Sequence, residues 1–467
     1  MSQNTELDRK LSPINIWALA LGSIIGWGAF VMPGNTFLSS AGPLGSTIAL
    51  IIAAAIMCII AFNYQYMINK YPIAGGEFTY AKNEFGSNHA FICSWFLGLS
   101  YLAIVPLNAT ALALIGRNLL GDIFQFGFHY QIAGYDVYFG EVILAISALV
   151  IFALVSVHNV KSTGSFQTLL VFSLVFGVVV IALAAVLSPN ASLANLSPAF
   201  NPGSDKLGGV LAVIAVAPWA FVGFDTIPQA TEEFNFPPQK TKVIMVLSIL
   251  FGAAVYIILN TVTAMTVPPE YTTWNEYIDD LPNLTGLKSL PTFHAAYMLM
   301  GNIGLVFIGV SVFAAILSGI VGFYMASSRL LYSMAKEGVI PEWFGKLHKK
   351  SKTPHHAVWF VLVISMIAPF FGRNALGWIV DMSSLGAAIG YAYTSAAAYK
   401  IATREKNTSI RVTGLLGFLL GMVFVVLLLI PVPGLNCALG LEPYICLMLW
   451  IILGAVFYIY SVKKNRK

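Results

Sequence analysis

Asp225 is the only acidic residue near the middle of any apolar stretch in this chain. An acid at bilayer depth costs about 2.5–3.5 kcal/mol on insertion scales, so its default reading is functional. It is suited to binding a substrate amine or carrying a proton. The competing reading is a cap on the half-helix that follows, with Pro228 in its first turn, and the two roles can coexist. Trp219, Phe221 and Phe224 flank the same point, where they would gate or line a pocket, including by cation–π contact, or simply pack. The seven histidines are scattered, with no spacing for a metal or a catalytic dyad. No GxxxxGK[ST] segment occurs, so the chain supplies no ATP site and no cofactor is expected.

Asp225 lies in one of two apolar stretches interrupted at their centres. The first reads GSIIGWGAFVMPG from Gly22 to Gly34; the other reads PWAFVGFDTIPQATEE from Pro218 to Glu233. Each Gly weakens a helix by about 1 kcal/mol relative to Ala, and Pro removes a donor, so both are points of unwinding. Irregular backbone at membrane depth is tolerated only against protein or a cavity, which turns both breaks inward. Glycines that merely permit close helix packing are the alternative. A broken helix exposes free amides at one half and free carbonyls at the other, with about half an electron's charge at each terminus. Amides of Gly26, Trp27 and Gly28 would hold a carboxylate, and carbonyls of Ala220, Phe221, Val222 and Gly223 an ammonium. A zwitterionic amino acid suits that pair better than a sugar or a bare ion.

The elements that position these residues follow from composition. The chain has 467 residues, 58% of them hydrophobic and 10% charged, with a mean hydropathy of +0.80; soluble proteins carry about 25% charged residues. A bilayer core of about 30 Å needs roughly 20 apolar residues per helix. Twelve runs qualify, at about 13–39, 44–69, 88–120, 139–157, 164–187, 207–234, 241–266, 297–335, 356–371, 375–402, 411–430 and 443–462. The expected class is therefore an all-α polytopic membrane protein of one transmembrane domain. The broken runs are the first and sixth, equivalent places in two five-helix halves, which is the cue for an inverted repeat with a midplane site.

Placing the N-terminus in the cytoplasm puts 21 of the 25 Lys and Arg residues inside, with only Arg117, Lys206, Lys288 and Arg373 outside. Both termini are thus expected to be cytoplasmic. The net charge of +5 is spread over successive loops, so it marks topology and no nucleic acid is expected. The first run is long and has no cleavage pattern, and would serve as a start-transfer helix. A Cys437–Cys446 bridge on the outer face is conceivable from position alone. The outer connection at about 267–296 is either a lid over a vestibule or a plain connector.

Five segments in order carry a family resemblance: GSIIGWGAF from Gly22, YPIAGGEFTYAKNEFG from Tyr71 to Gly86, HNVKSTGSFQ from His158 to Gln167, FVGFDTIPQATEE from Phe221 to Glu233, and SSRLLYSMAKEGVIP from Ser327 to Pro341. The chain resembles the amino acid–polyamine–organocation superfamily of permeases. The resemblance implies a five-plus-five inverted-repeat fold, residues 13–187 and 207–402, with two extra helices at 411–462. It implies alternating-access transport of an amino acid or related amine across the cytoplasmic membrane, by symport or exchange.

By the same resemblance, Ile25, Gly26, Trp27 and Gly28 match a carboxylate-binding turn, and Phe221, Val222, Gly223, Phe224 and Asp225 an amine-binding and gating stretch. Glu232 and Glu233, with Arg329 and Lys336, match a cytoplasmic gate, against the plainer reading of a charge-paired inner surface. Two departures stand out. Trp27 replaces a usually small residue, which narrows the pocket or signals a substrate without an ordinary α-amino acid head. The stretch Gln167–Leu174 lacks the Lys found in some proton-coupled members. Ser318 would offer a hydroxyl to sodium, or bond back to its own helix, leaving proton and sodium coupling open. The implied partners are a small amino acid or amine, a coupling ion and membrane lipid. With no Lys or Arg at mid-membrane depth, neutral or amine-bearing substrates fit best. A transporter-fold sensor and an intramembrane enzyme are the competing classes; short tails speak against the first and the lone Asp225 against the second.

Overall fold

In the computed structural model, which describes residue 7 and residues 9–132, 135–158, 160–432 and 437–465, α1 (Pro13–Ile25) starts at a reciprocal cap. The Ser12 hydroxyl accepts from the Asn15 N–H while the Asn15 side chain accepts from the Ser12 N–H, and Pro13 fills a position that needs no donor. The helix stops at Gly26 (φ 39°). α2 (Gly28–Met32) resumes after Trp27, widens into a π-helical turn at Pro33–Leu38, and runs on into α3 (Ser39–Lys70). α3 bends at Gly42 (φ 72°), where an added Cβ would lie 2.7 Å from the Asn201 backbone nitrogen; only glycine satisfies both that dihedral and that approach.

Three elements follow: α4 (Glu77–Phe85), α5 (Ser87–Leu120), and a hairpin of β1 (His129–Ile132) with β2 (Tyr135–Tyr138), antiparallel with His129 opposite Tyr138. Then come α6 (Phe139–His158) and α7 (Val160–Leu187). The second broken region is α8 (Lys206–Ala215) and the single turn α9 (Ala217–Ala220), followed by two 3₁₀ segments, Phe224–Thr226 and Pro228–Glu233. Beyond it lie α10 (Thr241–Met265), α11 (Trp274–Asp279), α12 (Pro291–Met300), α13 (Asn302–Lys336), α14 (His355–Ser365), α15 (Gly372–Arg404), α16 (Thr408–Leu429) and α17 (Leu441–Asn465).

Among the described residues, eight helical stretches are long and apolar enough to cross a membrane, the first being Pro13–Lys70 with its bend at Gly42. The chain is a mostly helical, polytopic protein. α5 and α13 form its buried heart, and α13 carries Phe323, Tyr324 and Arg329 out of solvent. α16 and α17 lie at the periphery, with Leu449 and Ile452 outward. A reciprocal pair holds α17: Trp95 Nε1 donates to the Trp450 carbonyl and Trp450 Nε1 to the Trp95 carbonyl, with the rings stacked at 4.7 Å.

Several details differ from expectation. The run at 297–335 divides at Gly301, so its long helix begins at Asn302. The half-helix after the second break is 3₁₀ rather than α, and the hairpin had no sequence forecast. Cys437 and Cys446 are free thiols. Asn159 of the His158–Gln167 segment lies outside the described residues.

The connection at 267–296 is folded, not slack. Trp274, Tyr277 and Ile278 of α11 pack on Leu38, at the end of the π-helical turn, and Trp274 Nε1 donates to the Pro198 carbonyl at 2.9 Å.

Candidate functional site

The two breaks touch. Gly223 adopts φ 140°, and a Cβ there would fall 2.6 Å from the Ile24 nitrogen and 2.8 Å from the Ser23 Cβ. The backbone of the second break thus rests on the last turn of α1, and no side chain fits between them. Higher up, Trp219 meets the first break: a Cβ on Gly28 would sit 2.2 Å from its Cη2, and the Trp27 and Trp219 rings meet edge to face at 6.4 Å. The Phe30 N–H bonds back to the Trp27 carbonyl. No side chain caps the amides that open α2.

Between the breaks lies a cavity of about 20 Å³, bounded by Ser23 to Gly28, Ile104, Leu107, Asn108, Trp219, Val222 and Tyr256. Three buried polar atoms of its lining residues make no hydrogen bond among the described residues: Ser23 Oγ, Trp27 Nε1 and Asn108 Oδ1. Such atoms are rare in native interiors, and each costs about 1–3 kcal/mol when unpaired. Here they offer a hydroxyl, an N–H donor and a carbonyl acceptor, all neutral.

Of the residues anticipated from sequence, Ile25, Gly26, Trp27, Gly28, Trp219 and Val222 surround this cavity. Phe221, Gly223, Phe224 and Asp225 stand beside it instead. Phe221 packs on Tyr256, and Phe224 stacks on Tyr391 at 5.4 Å with Tyr64 edge-on. The Gly223 carbonyl accepts from both the Thr226 N–H and its hydroxyl.

Asp225 is fully buried. Its Oδ1 accepts from the Gly223 N–H at 2.6 Å, tying the break to itself rather than capping the segment beyond Pro228. The Tyr101 hydroxyl lies 2.8 Å from the Asp225 carbonyl oxygen and 3.1 Å from Oδ2. One hydroxyl proton serves one acceptor well; a protonated Oδ2 would donate to the tyrosine oxygen and satisfy both contacts.

At the face that carries Leu11 and α4, the residues anticipated as a gate are drawn together. Arg329 forks onto Glu233, Nε to Oε1 at 2.7 Å and Nη2 to Oε2 at 3.3 Å, with both side chains buried. Glu232 Oε1 accepts from the Ala74 N–H. The extended chain before α1 pairs with the segment after Glu233: Leu11 N–H to the Glu233 carbonyl and Asn235 N–H to the Leu11 carbonyl. Lys336 lies beside its own Tyr332 ring and near Glu232 at the surface of this face. Ser318 is occupied: Gln167 Nε2 donates to its Oγ at 2.6 Å and its carbonyl at 3.1 Å.

Sequence reasoning missed Ser23, Asn108, Tyr101 and Tyr256. Asn108 lies two residues past Pro106 in a helix that also carries Ser94, Ser100 and Thr110, so its amide alone did not mark it. Among the described residues no cluster of His, Cys, Asp and Glu suited to a metal occurs.

Two interrupted helices packed break to break around neutral hydrogen-bonding groups, inside a bundle of membrane-length helices, define a membrane transporter. Residues 11–458 match the amino acid permease family, and the chain belongs to it. It is similar to the methylthioribose transporter of Bacillus subtilis (strain 168), 25% identical over 99% of this chain and 96% of that protein. The branched-chain amino acid permease BcaP of the same organism is 25% identical over 83% of this chain and 80% of its own length. Cationic amino acid transporter 4 of Mus musculus is 23% identical over 84% and 60% respectively.

Proposed function

We propose that this protein is a proton-driven, alternating-access carrier of small neutral amino acids or related amines in the cytoplasmic membrane. About twelve spans, arranged as two inverted five-helix units and two further helices, surround the site, and both termini face the cytoplasm. The observation that carries this reading is the meeting of the two breaks at Ser23 Oγ, Trp27 Nε1 and Asn108 Oδ1, three buried polar atoms without partners among the described residues. A substrate with its own donors and acceptors relieves that deficit. The amides at the start of α2 face a carboxylate, and the carbonyls around Val222 an ammonium. Entry requires Trp27 and Trp219 to part.

Proton rather than sodium coupling is supported by two contacts. Asp225 sits at the break with geometry that a neutral carboxyl satisfies. The Ser318 oxygens already accept from Gln167, so a donor stands where a cation would need ligands.

A second reading, a neutral polyol-like substrate, is favoured by the absence of charge from the three unpaired atoms and by the similarity to the methylthioribose transporter. Uptake into proteoliposomes of labelled amino acids, amines and methylthioribose, under imposed proton or sodium gradients, separates these. Accumulation of a neutral amino acid under the proton gradient is expected, and Asp225→Asn is expected to abolish it. Flux of methylthioribose alone would install the second reading. Binding without flux would turn the protein into a sensor.

A further inference from the structure

Glu77, the first residue of α4, has no solvent exposure. Its Oε1 accepts from the Tyr64 hydroxyl at 2.8 Å and its Oε2 from Gln229 Nε2 at 2.7 Å. Among the described residues no Lys, Arg or His forms an ion pair with it. The titratable groups that face it are Tyr64 on α3, Tyr80 on its own helix, Cys93 and Tyr101 on α5, Tyr391 on α15, and Asp225. Arg329, the buried cation of this face, is committed to Glu233. Burial first, and then the negative charge of Asp225, push the Glu77 carboxyl well above the ordinary carboxylate range.

The surroundings accept either protonation state. As a carboxylate, Glu77 receives the two hydrogen bonds just described. The Gln229 Oε1 is buried and makes no hydrogen bond among the described residues. A half-turn of that amide presents Oε1 to Oε2, so a protonated carboxyl gains an acceptor at the cost of one side-chain rotation. The partner that makes this possible belongs to Pro228–Glu233, the segment that follows the second break, whereas Glu77 belongs to the helix between α3 and α5.

We propose that Glu77 is a second proton-carrying carboxyl of this transporter, on the cytoplasmic side of Asp225, loaded while α4 and the Pro228–Glu233 segment are in contact and discharged when they separate. An O–H bond forms on the carboxyl as the proton arrives from the substrate side. The bond that breaks in that step is the O–H of the protonated Asp225 carboxyl. The Glu77 O–H breaks in turn once Glu77 is wetted, and its proton leaves on cytoplasmic water as hydronium. This inference rests on the proton-driven reading above, and its first test needs no substrate.

The test is a pH titration by infrared difference spectroscopy of the full chain in lipid bilayers, following the protonated-carboxyl carbonyl band. A band that disappears as pH rises, absent in Glu77→Gln and retained in Asp225→Asn, is expected. Gln229→Met, which removes one donor to the carboxylate, should move the loss of the band to higher pH. A titration identical in wild type and Glu77→Gln overturns the proposal. In proteoliposomes, Glu77→Gln should lower proton-driven accumulation of the panel's best amino acid at least tenfold while counterflow falls far less. Accumulation equal to wild type overturns the proposal. If wild type accumulates nothing under a proton gradient, the parent reading falls; a pH-titrating band present in wild type and absent in Glu77→Gln then supports the proton site on its own.

Discussion

The two ends of the molecule are closed by different physics. At the face bearing Leu11 and α4, closure is polar: the Arg329–Glu233 fork, the Glu77–Gln229 bond, the Glu232 bond to Ala74, and a two-bond backbone bridge at Leu11. At the opposite face it is chiefly apolar: Trp27 against Trp219, and Leu38 beneath Trp274 and Ile278. Polar latches depend on charge state and geometry, so they switch; apolar contact scales with area and is nearly indifferent to pH. Under the alternating-access reading proposed above, the difference would put control on one side and bulk resistance on the other.

That contrast breaks most readily at Arg329. Arg329→Ala leaves Glu233 as an uncompensated buried charge, a loss of about 3–5 kcal/mol to the closed form. A membrane-impermeant thiol reagent should then label a cysteine at position 23, in a background lacking native cysteines, from the α4 face. Trp274→Ala is expected to loosen the other end by about 3 kcal/mol, the low end for a core tryptophan because α11 is short and can settle. Labelling of the same cysteine should rise from the opposite side only. Asn108→Ala removes a contact at the level where both closures meet. It should raise the KM for substrate about tenfold, the equivalent of about 1.4 kcal/mol, with little change in labelling from either side.

The smallest effect sharpens the comparison. The Glu77 carboxyl is held high by burial and by the charge of Asp225, so ionising it costs more in the closed form than in an open, wetted one. The closed α4 face is therefore favoured at low pH and weakens as pH rises through the held value. Labelling of position 23 from that face should rise with pH more steeply than labelling of the same thiol from the Trp274 side, which rises only with its thiolate fraction.

Much of this was readable beforehand where backbone chemistry writes itself into composition. Gly26, Gly28 and Gly223 mark the breaks because few other residues tolerate their dihedrals or approaches, whereas Glu233 and Arg329 were reached only through the family resemblance. Asn108 and Ser23 did not stand out, since a polar residue in a mostly apolar helix has no period to betray which way it faces. Glu77 lay within a segment noted for its resemblance, yet its burial depends on Tyr64 and Gln229, 13 and 152 residues away, a tertiary relation that local pattern does not encode. The hairpin at His129–Tyr138 was missed because it fills a connection between apolar runs. The 3₁₀ character after Gly223 is set by Asp225 folding back on the break.

The stretch from Pro13 to Lys70 is a succession of helical pieces joined without a loop, with two pivots, at Gly26–Trp27 and at Gly42. Mechanically it is a three-bar linkage whose first bar is pinned near Leu11 and whose last, α3, is embedded in the bundle. Its middle bar, residues 28–41, cannot turn about one pivot without turning about the other. A brace that immobilises Gly42, far from the cavity, should therefore stall motion at Gly26 as effectively as a brace inside it.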